Sequence, residues 1–247
     1  MKTFALLLLL TVALTSFPVH AQDDAPPSKF PPIPPGPLIQ ERAPDYSQWT
    51  VTTKLGGDSS STQPGTAPAA SKQPPFFGAI VTTTQTGKIK LRETTDNLGQ
   101  IWSTWCVRSD TQITIRPDTK GVIITSGPVD PRNPSPYYVD YSKTDFPNIP
   151  SGVVSLSNYA GIQSSHGAQC LLFKGSGSII PRSPAIPCTV YINLKSRYPV
   201  AVEGAGIVVT YEFHQPPSAE LSPSADVVQV LKNIDLINRS VGVKPNR

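Results

Sequence analysis

Between Cys188 and Phe213 apolar and polar positions alternate with a period of two. Val190, Ile192 and Leu194 stand against Tyr191 and Asn193. After the short segment Pro199–Val202 and the turn Glu203-Gly-Ala-Gly206, Ile207, Val209, Tyr211 and Phe213 stand against Val208, Thr210, Glu212 and His214. Successive side chains of a strand point to opposite faces, so runs of this kind predict antiparallel strands with one face buried.

The same rhythm begins earlier in the chain. Gln48–Thr53 predicts a first strand with Trp49 as its core anchor, and Phe77–Thr84 a second. Lys88–Glu93 places Ile89 and Leu91 inward and Lys88, Lys90 and Arg92 outward. Gln100–Arg108, Thr111–Arg116 and Val122–Thr125 follow, separated by turn residues such as Asp96-Asn-Leu-Gly99 and Asp118-Thr-Lys-Gly121. Hairpin signals at this spacing predict an up-and-down meander. Trp102 and Trp105 lie three apart on one strand and therefore project to opposite faces. Val153–Tyr159 predicts a short element and Ala168–Lys174 a further strand. Near the end, Ser222-Pro-Ser-Ala-Asp226 has helix-start chemistry, with Ser222 as cap and Pro223 in the first position. Val227, Leu231 and Ile234 share one helical face, flanked by Val230 and Ile237. The expected fold is mainly β: a single curved antiparallel sheet, a meander or half-barrel, with one C-terminal amphipathic helix packed on it.

Where the periodicity fails, composition takes over. Residues 1–21 have a charged start, a short apolar run and the small-residue pattern Val19-His-Ala21, which predicts a cleavable signal peptide and a secreted or periplasmic product. No later stretch is long and apolar enough for a transmembrane segment. Residues 22–45, with Pro26-Pro27, Pro31-Pro32 and Pro34-Pro-Gly-Pro37, read as a Pro-rich disordered spacer. A single β-rich domain is expected over 46–239, with a disordered insertion near 56–75 and a fraying tail at 240–247. Gly127–Ser151 reads as a long surface excursion rich in proline and carrying Tyr137, Tyr138 and Tyr141.

The formal net charge of +4, in a chain in which charged residues are 15%, is too mild to imply nucleic acid or an anionic membrane as partner, both of which need concentrated basic patches. Three cysteines permit one internal disulfide. Cys170 and Cys188 flank a Pro/Gly/Ser-rich stretch and form the favoured pair, with Cys106–Cys170 or three buried thiols as alternatives.

Candidate chemistry is sparse. His166, in the turn Ser164-Ser-His-Gly167, is the one histidine placed for a Ser-His-Asp site, but no Gly-x-Ser-x-Gly elbow accompanies it. No metal motif of Cys-x-x-Cys, His-x-x-x-His or calcium-loop type occurs, and no cofactor is expected. The row Lys88, Lys90, Arg92, Arg108 and Arg116 reads as a solvated outer face, or else as a cationic sheet face.

Several local patterns together carry a resemblance: Trp102-Ser-Thr-Trp105, Asp145-Phe-Pro-Asn148, Asn158-Tyr-Ala-Gly161, Cys170-Leu-Leu-Phe173, Val190-Tyr-Ile-Asn193 with Tyr198-Pro-Val200, and Thr210-Tyr-Glu-Phe213. Over about residues 76–237 the chain resembles exported bacterial proteins with a LolA/LppX-like lipoprotein-carrier β half-barrel. The resemblance implies an apolar concavity beneath a sheet that shelters acyl chains, though no dedicated ligand residue of that group can be matched here. The expectation is an exported, non-enzymatic binding or carrier module for an apolar or lipid-like ligand, with Trp102, Trp105, Tyr137, Tyr138 and Tyr141 as candidate ligand-binding residues. The alternatives are a structural or interaction protein of the cell envelope, contacting an envelope protein through its Pro-rich and Tyr-rich loops, and a hydrolase using His166.

Overall fold

The computed structural model describes residues 30–55, 79–96, 98–108, 111–116, 121–126, 144–180 and 183–240 of the 247. The expected signal peptide, the insertion near 56–75, Tyr137, Tyr138, Tyr141 and residues 241–247 lie outside them.

Eleven strands form one antiparallel sheet that does not close. They are β1 (Tyr46–Leu55), β2 (Ile80–Thr86), β3 (Ile89–Thr95), β4 (Ile101–Arg108), β5 (Thr111–Arg116), β6 (Gly121–Ser126), β7 (Tyr159–Ser165), β8 (Ala168–Gly177), β9 (Ile186–Asn193), β10 (Pro199–Gly204) and β11 (Ile207–Phe213). Their order across the sheet is β6-β5-β4-β3-β2-β1-β11-β10-β9-β8-β7. Two meanders, β1–β6 and β7–β11, are joined where the first strand pairs with the last, Trp49 opposite Phe213 and Val51 opposite Tyr211. One helix among the described residues, α1 (Ala225–Ser240), follows β11.

The element expected over 153–159 is instead a loop with one 3-10 turn, Leu156–Asn158, and the strand starts at Tyr159. Polar Gln163, Ser164 and Ser165 hid this edge strand, since little of it is buried. The helix also begins two residues later than its cap signal. Ser224, not Ser222, receives the first-turn N–H of Val227 at 3.5 Å, while its carbonyl accepts from Val228 at 3.0 Å.

Register decides which face of each strand is apolar. We call the Trp49 side face A and the Trp105 side face B. On face A, Trp49, Val51, Val209, Tyr211, Val202, Val190, Ile192, Leu171 and Phe173 form the main core. Two segments cover it. The loop after residue 144 inserts Phe146, whose ring meets Trp49 at 5.8 Å and Tyr211 at 6.0 Å, and adds Val153. The other cover is a strap, residues 30–45, which seats Ile33, Leu38, Ile39 and Ala43. This described part of the expected disordered spacer is thus docked. Its prolines stay out of the sheet ladder, and named groups of the body bond its backbone: Asp145 Oδ2 accepts from Ala43 N at 2.9 Å, and Arg197 O accepts from Gln40 N at 2.8 Å.

From β3 to β5 the apolar residues change sides. Ile89, Leu91, Trp105, Val107, Ile113 and Ile115 lie on face B, where Val227, Val230 and Leu231 of α1 pack on them with Leu221. The pairing of Thr84 with Leu91 sets this switch, because threonines occupy face B of β2 while leucine and isoleucine occupy it on β3. Face A of β3 then carries Lys90 and Arg92. Lys90 does not belong to a solvated outer row as one sequence reading held; it forms an ion pair with Asp145, which is 3% exposed.

Candidate binding face

Face B between β3 and β6 is built by two in-register rows and two flanking residues. Leu91, Trp105, Ile113 and Ile124 make the central row across four strands, Ser103, Ile115 and Val122 the next, and Ile89 and Val107 flank the first. Cross-strand neighbours on one face touch, so the apolar surface is continuous from β3 to the edge strand β6. It is not fully covered. Trp105 and Ile113 are buried beneath α1, but Val122 and Ile124 remain 42% and 47% exposed.

The helix shows the same gradient. Val227, Val230, Ile234 and Ile237 fall on one stripe, since steps of three and four residues return to the same side. Val227 is fully buried against the sheet, and Ile237 is 62% exposed, as is Leu236 beside it. The stripe is apolar along its whole length but packs on the sheet only near its start. No helix among the described residues is long and apolar enough to cross a membrane.

Of the candidate ligand residues, Trp105 lies on this face beneath α1. Trp102 lies on the opposite face, as the spacing of three requires, with the Arg116 guanidinium 4.8 Å from its ring centroid. The two tryptophans therefore do not share a site. Val122, Ile124 and the end of the helical stripe were not singled out as site residues. Alternation around Ile123 and the Ile234–Ile237 step were the available signals, but burial had to be known to separate surface from core.

The favoured disulfide does not form. Cys188 pairs in register with Gly175, and Cys170 with Asn193. The offset of five residues separates them by about 16 Å along the strands and, being odd, sets them on opposite faces, well beyond bridging distance. Cys106, Cys170 and Cys188 are all free and buried. Burial pushes the Cys106 thiol up to about 11, against the opposing pull of Arg92 and Lys90, and raises the other two thiols as well. None has the lowered pKa and exposure of a reactive cysteine.

His166 occupies the β7–β8 turn with φ +50, followed by Gly167. Its Nε2 lies 2.9 Å from Glu203 Oε1 on β10, and its ring meets the Tyr191 ring edge-on at 5.1 Å. The Tyr191 hydroxyl donates to the other Glu203 oxygen at 2.9 Å. Burial, the hydrogen bond to Glu203 and the negative charge of that carboxylate push the Tyr191 phenol up to about 12. Two surface depressions lie nearby: a hollow of about 360 Å³ bordered by Lys174, Thr189 and Glu203, and one of about 510 Å³ bordered by Ser164 and His166. Neither Ser164 nor Ser165 bonds to the His166 ring; the Ser164 hydroxyl is held by Gln169. Histidine and carboxylate are together here, but the serines beside them are not aligned on the imidazole for attack. Among the described residues no three His, Cys, Asp or Glu side chains gather as metal ligands.

No family model and no curated protein matches the chain. Among solved structures, it is similar to the crystal structure of the Mycobacterium tuberculosis lipoprotein LppX, with 13% identity, a TM-score of 0.37, and coverage of 72% of this chain and 90% of that one, a remote likeness of the kind the sequence resemblance named.

Proposed function

We propose that the chain is an exported, non-enzymatic binding module that carries an apolar, lipid-like ligand on face B, between α1 and strands β4–β6. The observation that carries this reading is the helical stripe from Val227 to Ile237, buried at one end and 62% exposed at the other, beside a sheet face whose apolar rows run on to β6, where Val122 and Ile124 are exposed. Water against that surface is unfavourable by about 25 cal/mol per Å², and an acyl chain laid along it removes the same area from solvent without needing polar partners. Trp105 forms the floor of the covered end, so a ligand that moves the helix alters the environment of its indole.

The test is a titration of the mature protein with oleate, lysophosphatidylcholine and phosphatidylglycerol vesicles, following tryptophan emission. The expected result is a saturable shift that Trp105→Phe removes and Trp102→Phe leaves in place. Absence of any shift across the three probes, or a shift unaffected by Trp105→Phe, sinks the proposal.

A further inference from the structure

The first limb of the strap, residues 30–35, is Phe-Pro-Pro-Ile-Pro-Pro. Proline fixes φ near −65°, and a residue preceding proline is restricted to extended or polyproline II backbone. Residues 30–34 each precede a proline or are one, so the limb is a polyproline II rod by covalent constraint, with a period of three residues. Two side chains of the body read that period. The Tyr159 hydroxyl on β7 donates to Pro31 O at 2.9 Å, and Arg197 Nη2, in the β9–β10 turn, donates to Pro34 O at 2.8 Å. Carbonyls three apart lie on the same side of such a rod, about 9 Å along it. Between the two donors, Ile33 seats on the face A core, and the Phe30 ring lies 6.1 Å from that of Tyr159. Gly161 makes this approach possible: with φ +112, its missing Cβ would come within 3.1 Å of the Phe30 ring.

Two observations show that this seat is incompletely used. First, the limb is shallow: apart from Ile33, residues 30–37 are exposed, whereas Ala43 beyond them is buried and tied to Asp145. Gly36, at φ +129 with open space where a Cβ would stand, is the joint between the shallow and the firm parts. Second, Arg197 is a buried guanidinium, 6% exposed, whose Nη1 has no acceptor among the described residues and which forms no ion pair with an acid there. An unsatisfied buried donor is costly, so a ligand that brings it a second carbonyl gains over the strap.

We propose that Tyr159, Arg197 and the Ile33 seat form a recognition site for polyproline II segments, filled in cis by the strap, and that its partner in trans is a proline-rich segment of another protein. A second copy of this chain is disfavoured as the occupant. Its strap offers the same groups as the tethered one and lacks the tether's effective concentration, whereas a foreign segment can also satisfy Arg197 Nη1.

The experiment uses the full mature chain and a synthetic peptide of residues 30–38, followed by calorimetry. Ile33→Asp frees the seat by making the strap a poor ligand; Pro31→Ala combined with Pro34→Ala loosens the rod and does the same without introducing charge. Far-UV circular dichroism confirms that each variant keeps its sheet. Both variants are expected to bind the peptide at least about tenfold more tightly than the wild type, which competes with itself. Adding Tyr159→Phe should weaken that binding about threefold to tenfold, the effect of one hydrogen bond. Equal binding by wild type and strap variants, indifference to Tyr159→Phe, or equal binding of a scrambled peptide without adjacent prolines overturns the proposal. A concentration-dependent dimer of the wild type that Ile33→Asp abolishes assigns the site to a second copy and overturns the foreign partner.

Discussion

Lys90 and Asp145, 55 positions apart, form an ion pair in which the carboxylate side chain is 1% exposed and the ammonium side chain 14%. The same carboxylate accepts from Ala43 N, and the Asp145 backbone N–H donates to Glu41 O at 2.9 Å. One residue thus ties strand β3, the loop bearing Phe146 and the strap together. Removing one partner of a buried pair leaves the other charge uncompensated. Asp145→Ala should therefore cost about 3–5 kcal/mol in urea unfolding, and Lys90→Met less, because Arg42 Nη1 still lies 3.6 Å from the same carboxylate; the double variant should be less destabilised than the sum.

The Tyr211 hydroxyl is buried without a hydrogen-bond partner among the described residues, and burial raises its phenol well above the ordinary value of 10.0. Below the unfolded value both states keep the proton and nothing is lost; as pH rises above it, only the unfolded chain ionises, and stability falls. Cys106, raised from 9.0 to about 11, and Tyr191, raised from 10.0 to about 12, act in the same sense. Stability should decline from about pH 9 upward. Tyr211→Phe, which removes an unsatisfied polar atom, should leave stability at pH 7 unchanged or higher and move the alkaline unfolding midpoint upward. Circular dichroism across that pH range checks both.

With Cys170 and Cys188 on opposite faces, alkylation of the unfolded, unreduced protein should label all three thiols. The native protein should react slowly at every one, since each is buried with a raised pKa. Mass spectrometry reads the count directly. A native disulfide would leave one label.

Position along α1 should set the cost of truncation. Val227→Ala, under the sheet against Trp105 and Ile113, should lose about 2 kcal/mol. Ile237→Ala, on the same stripe but 62% exposed, should change stability by less than about 0.5 kcal/mol. Ile237→Asp should also be neutral for stability yet weaken binding of oleate in the emission titration. Loss of stability at Ile237 comparable to that at Val227 would show the helix to be docked along its full length.

At the β7–β8 turn, His166 holds φ +50, a conformation that glycine adopts without a steric cost. Breaking its contact with the partly exposed Glu203 should cost at most about 1 kcal/mol. His166→Gly should therefore be more stable than His166→Ala by about 1 kcal/mol in thermal unfolding, and the hydrolase alternative requires instead that His166→Ala abolish a measurable turnover.

The strands other than β7 were legible in the chain. Alternation at Ile89/Leu91, Ile113/Ile115, Val190/Ile192 and Ile207/Val209/Tyr211 is local information, because the pleat fixes side-chain direction residue by residue; the opposed tryptophans at 102 and 105 follow from the same rule. The amphipathic helix was legible from its period alone. Which side each strand buries was not written locally. It depends on pairing register: Thr84 opposite Leu91 sends the apolar residues of β3–β5 to face B, while Val51 opposite Tyr211 keeps those of β1 and β11 on face A. A shift of one residue reverses every side chain, so only the assembled sheet could decide it. Likewise, composition read residues 22–45 as a Pro-rich disordered spacer, but the two donors that hold Pro31 and Pro34 come from Tyr159 and Arg197, more than a hundred positions away. Contacts at that separation have no local signature; tertiary structure alone turned a spacer into a strap.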